Sequence, residues 1–124
     1  VTNTVNYVQQ IVDRLDQLIP GNDPKLLRLY ALLVLAKGAD TTLRDVHDAW
    51  ALWRNETQPD HRSLIPFEQL SPDVQALDRP YMEAIHAVAS DRCSACGEFG
   101  EIAVRNSSAT ACHDCAALAE PGCS

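Results

Sequence analysis

Four of the five cysteines fall between residues 93 and 115, as Cys93-x-x-Cys96 and Cys112-x-x-Cys115 with fifteen residues between the pairs. A two-residue gap lets both sulfurs of a pair reach one ion, and zinc takes four thiolates tetrahedrally. Residues 1–91 contain no cysteine, and the first twenty residues lack the basic start and apolar run of a secretory leader. The expected setting is therefore a reducing cytoplasm, where paired thiols serve metal more often than disulfides. The pattern predicts one Zn²⁺ per chain, held by Cys93, Cys96, Cys112 and Cys115. Two disulfides are the competing arrangement of the same sulfurs. His113 lies inside the second pair and could replace a cysteine, but four thiolates already complete the shell. Cys123 is left as an exposed thiol. A catalytic zinc keeps one position open for water, and a four-cysteine shell leaves none, so the expected role is structural. The His-x-Glu that precedes Pro-Cys-x-x-Cys in zinc deaminases is absent.

A second cluster lies in the cysteine-free part: His47 and Trp50 in "VHDAW", and His61 in "HRSLIPF". One reading is a packed corner, where Trp50, Trp53 and Phe67 bury area, Pro66 sets the chain direction, and both histidines satisfy loop backbone. The other is a pocket for a nucleotide or small molecule. Nothing here reads as catalytic. There is no nucleophile elbow, no phosphate-cradling glycine loop and no His-Glu-x-x-His helix. His47 and Asp48 are adjacent, and adjacent helical residues point apart. The expectation is a protein that is not an enzyme.

These residues need helices to position them. Val5, Val8, Val12, Leu15 and Ile19 recur at helical spacing, and "PGNDP" breaks the pattern. Asp23 and Pro24 suit the cap and first position of the next helix, "KLLRLYALLVLAK". That helix is apolar on most faces, which predicts a central place, and Gly38 should end it. Thr42 and Asp45 open a third helix with Leu43, Val46, Trp50 and Trp53 inward. Residues 55–65 read as an ordered loop and "PFEQL" as a short turn. Ser71 and Pro72 start a last helical stretch that Pro80 kinks or restarts. After residue 91, "EIAVR" and "SATA" read as two short strands joined at Asn106 and Ser107. The fold class is thus mainly α: a helical domain over 1–91, then a four-cysteine zinc-binding module over 92–124 with a short β-hairpin.

Composition narrows the partners. The net charge is −7, and arginine and lysine are outnumbered both before residue 92 and after it. Phosphate backbones are bound by neutralising their charge, so general nucleic-acid binding is disfavoured. The strongest apolar run, "LYALLVLA", falls short of the roughly 20 residues that cross a bilayer, so no membrane partner is expected.

The cysteine module resembles zinc-ribbon and treble-clef modules. Residues 26–88 resemble the repeat of ryanodine receptors and of small proteins of actinobacteria and their phages. His47 and Trp50 match the repeat's His-to-Trp spacing. His61, Leu64, Ile65, Pro66 and Phe67 match its "H-P-x-L-V-P-Y" segment. The repeat's "G-W-x-Y-G" segment is missing, with "NETQPD" in its place, so the resemblance implies a fold more than a function. The leading functional expectation is a non-enzymatic adaptor or accessory factor that docks a protein partner; a phage-encoded factor acting on a host complex would fit. A nucleic-acid-binding regulator using the zinc module is one alternative. A nucleotide or small-ligand sensor using His47, Trp50 and His61 is the other.

Overall fold

The computed structural model describes residues 6–92, 99, 102–105 and 110–112. Helix α1 (Tyr7–Leu18) starts where the Asn6 side chain accepts the Gln9 backbone N–H at 2.8 Å. It ends before a turn in which Gly21 takes φ +86°, a conformation open to glycine at little cost. Helix α2 (Pro24–Ala36) is capped by Asp23, which accepts from the Lys25 N–H at 2.8 Å, with Pro24 in the first turn. Gly38, at φ +54°, turns the chain out of α2 into a single 3₁₀ turn, Gly38–Asp40. Helix α3 (Leu43–Thr57) opens on a complete capping box. The Asp45 N–H donates to Thr42 Oγ1, and the Thr42 N–H donates back to the Asp45 carboxylate. Lys37 reaches that same carboxylate at 2.9 Å, tying the end of α2 to the start of α3.

A 3₁₀ turn at Phe67–Gln69 leads to α4 (Pro72–Ala76), capped by Ser71, and α5 (Arg79–Ser90). Pro80 lies in the first turn of α5, where a missing N–H is harmless, so the proline restarts the helix and does not bend it. Helix α2 packs against α1, α3 and α5. The core they share is Ile11 and Leu15 from α1, Leu27, Tyr30 and Val34 from α2, Val46 from α3, and Ile85 and Val88 from α5. The His86 Nε2–H of α5 donates to the Thr41 carbonyl at 2.7 Å, closing α5 onto the α2–α3 turn.

Strands β1 (Ile102–Arg105) and β2 (Thr110–Cys112) pair antiparallel, with Ile102 opposite Cys112 and Arg105 opposite Thr110. Arg92 and Phe99 form a further antiparallel bridge. The Thr110 hydroxyl donates to the Arg92 carbonyl. Phe99 packs against the helical core, and the Arg14 guanidinium lies 4.0 Å over its ring.

Three expectations change. On α1 the buried residues are Ile11 and Leu15, while Val8, on the same face but in the first turn, is exposed. Val5 lies outside the described residues. Helix α2 is covered on three sides, with Leu32 and Leu35 left in solvent. Helix α3 runs to Thr57, so residues 55–57 are helical and the loop is shorter than the polar composition suggests.

Candidate functional site

Helix α3 carries His47 and Trp50 one turn apart, on the side that faces the loop to α4. His47 is only 3% exposed, and its Nε2–H donates to the Ile65 carbonyl at 2.8 Å. That bond fastens the loop to the helix. The loop returns a second histidine: the Ser63 backbone N–H donates to His61 Nδ1 at 3.0 Å. Because Nδ1 accepts, neutral His61 carries its hydrogen on Nε2. The rings interlock, with Trp50 5.6 Å from His47 and 5.1 Å from His61 in an edge-on arrangement, and Phe67 6.2 Å from His47. The sequence groups the three corner residues, and the structure brings all three to the wall of one cleft of about 550 Å³.

No sequence pattern predicts the rest of the lining. Helix α2 contributes Tyr30, whose ring lies 5.6 Å from that of Tyr81 on α5, and Asp78 sits just before α5. Burial pushes the Asp78 carboxyl up from its ordinary value, partly offset by His47. Burial, with Asp78 and Tyr81 adding to it, also pushes the Tyr30 phenol up, so it stays a neutral hydroxyl. Further along α3, the Arg54 guanidinium lies 4.4 Å from the Trp53 ring centre and 5.9 Å from that of Trp50. Arg54 Nε is buried with no hydrogen-bond partner among the described residues. No motif announces Tyr30, Arg54 and Asp78; they meet only because α2, α3 and α5 pack together. A patterned His-Trp pair points to part of the cleft's lining, but not to the rest.

On the far side of His47, a shallower groove of about 540 Å³ runs past Leu52, Leu64, Ile65 and Pro66. Leu52 is 66% exposed there.

Of the predicted zinc ligands, Cys112 ends β2, and Cys93, Cys96 and Cys115 lie outside the described residues, as do His113 and Cys123. Among the described residues no three histidine, cysteine or acidic side chains gather to hold a metal. No helix among them is long and apolar enough to cross a membrane.

The match to known proteins is confined to the helices. No curated protein and no solved structure matches the chain. A family model does match over residues 6–90, the span from the α1 cap to the end of α5. The protein therefore belongs to the family described as Domain of unknown function (DUF7701).

Proposed function

We propose that the protein is a non-enzymatic binding domain that takes a small, flat molecule in the cleft between α2, α3 and α5. The observation that carries this is the cleft itself: about 550 Å³, a size typical of ligand sites, with aromatic walls and a few converging polar groups. His47, Trp50 and His61, the positions that match the ryanodine-receptor repeat, all line it. Ligand-observed NMR with a library of aromatic fragments, followed by protein-observed shifts at the Trp50 indole N–H, tests the reading. Binders should move that signal and lose affinity in Trp50→Ala. A library in which no fragment perturbs Trp50 or His61 rejects it.

A protein-docking role is the second reading, favoured by exposed Leu52 beside the groove at Leu64 and Ile65. Leu52→Asp should then abolish a partner interaction while leaving fragment binding intact.

In the C-terminal module, four thiolates in two Cys-x-x-Cys pairs are a donor set suited to zinc. We propose one structural Zn²⁺ there, through Cys93, Cys96, Cys112 and Cys115, supplying folding energy to a segment too small for its own core. Protein purified from cytoplasm without added metal should contain about one equivalent of zinc by elemental analysis. Two disulfides and no metal would remove the site.

A further inference from the structure

Charge and hydrogen-bond capacity in the cleft are not balanced. Arg44 has Glu68 and Lys37 has Asp45, but Arg54 has no acidic partner among the described residues. It is held by ring faces instead, against Trp53 and Trp50, and its Nε–H finds no acceptor. A cation placed this way is oriented without being neutralised. In the same cleft, His61 accepts through Nδ1 and so carries an Nε2–H as a second donor, for which no partner is found among the described residues.

Neither acid that lines the cleft, Asp23 or Asp78, forms an ion pair with Arg54. Asp23 turns one carboxylate oxygen to the start of α2, where it accepts the Lys25 N–H beside the positive helix end. Asp78 is half-buried, and burial raises its carboxyl from the ordinary value. Tyr30 and Tyr81 bring hydroxyls. The site therefore offers a guanidinium unpaired among the described residues and a second donor beside an aromatic wall.

We infer that the cleft selects flat aromatic anions, the oxyanion being held by the Arg54 guanidinium and the His61 Nε2–H while the ring lies against Trp50. This rests on the reading of the cleft as a ligand site and adds the charge of what enters it. Carboxylate and phosphate share the chemistry: both present paired oxygens that match a guanidinium fork.

The test compares four probes by isothermal titration and ligand-observed NMR: indole-3-carboxylate, its neutral carboxamide, phenyl phosphate and neutral phenol. Anions should bind about tenfold or more tightly than their neutral counterparts, the gain expected of a charge-assisted hydrogen bond. Arg54→Gln should erase that preference, and Arg54→Lys, which keeps the charge but loses the fork, should restore part of it. His61→Ala should reduce it by a smaller factor. The two anions rank the source: preference for indole-3-carboxylate points to carboxylates, preference for phenyl phosphate to phosphate esters. Circular dichroism checks that each variant folds; if Arg54→Gln does not, Arg54→Lys and the anion-to-neutral ratio of the parent decide. Equal binding of anions and neutral probes overturns this inference and leaves the ligand cleft standing. No binding of any probe at millimolar concentration overturns both.

Discussion

The α1–α2–α5 side of the molecule and the α3–loop corner are built on different physics. On the first side, aliphatic residues such as Leu15 and Ile85 are fully buried, and stability comes from apolar area removed from water. At the corner, Trp50, Trp53 and Phe67 are only half-buried, and the loop is held by two histidine–backbone hydrogen bonds. The core closes on itself, whereas the corner stops short of closing and leaves a cleft in which Arg54 forms no ion pair among the described residues. Sites that must accept something else depart from the rules that a core obeys. If the cleft is the ligand site proposed above, the contrast teaches where stability and recognition are separated in a small domain.

Substitutions can break that contrast. The largest effect should come from Ile85→Ala or Leu15→Ala, each costing about 2–5 kcal/mol, the range for deleting a buried aliphatic side chain. Chemical denaturation would measure it. Trp50→Ala should cost less than the ~3–5 kcal/mol of a fully buried aromatic, since Trp50 is half-buried and lines the cleft. A loss equal to or above that of Ile85→Ala would mean that the corner is core after all. His47→Ala comes next, at about 1–3 kcal/mol, because it removes a buried ring together with its hydrogen bond to the Ile65 carbonyl. Its signature is local: hydrogen exchange should quicken in residues 61–66 before it changes in α1.

A pH series sharpens the comparison further. Burial raises the Asp78 carboxyl, so the folded chain holds that proton to higher pH than the unfolded chain does. Stability from this group is therefore present near and below the ordinary carboxylate value of about 3.9 and falls as pH climbs through the raised folded value. Asp45 has the opposite sign. Partial burial opposes it, but the Thr42 N–H and Lys37 hold its carboxyl below the ordinary value. Its contribution is intact above that value and fades as pH drops through the depressed one. Asp78→Asn should accordingly gain more on the parent at pH 7 than at pH 4.5, measured by urea midpoints. A gain that is the same at both would remove Asp78 from the buried wall. Smallest of all, Leu77→Ser, at a residue 67% exposed, should stay within about 0.5 kcal/mol of the parent.

Local chemistry is legible in the sequence wherever it is decided locally. Asn6, Asp23, Thr42 and Ser71 act within three residues, and the structure has a cap at each, the last three of which the sequence predicts. Pro80 restarts a helix because a proline ring can begin a helix but not continue one. The His47–Trp50–His61 corner is visible because its pieces lie within fifteen positions of one another. Tertiary choices are not visible. Which turn of α1 lies under its neighbours separates Ile11 from Val8, although both have helical spacing. His86 finds its carbonyl 45 residues away, and Arg54, Tyr30 and Asp78 come from three elements. Periodicity tells which side of a helix is apolar, but not what comes to rest against it.

The placement of Phe99 has a consequence for the order in which the chain assembles. Its ring fills the space beneath Arg14, yet it is synthesised 85 residues later (99 − 14). On the ribosome, α1 and α2 emerge early as a local hairpin, a cheap closure, while the outer flank of α1 waits for a distant ring. Until residue 99 clears the exit tunnel, Arg14 lacks the ring it packs on. Synthesis at roughly 5–20 residues per second makes that interval several seconds long. A nascent chain arrested before Phe99 would thus carry an assembled helical hairpin with one bare flank, open to whatever holds unfinished chains.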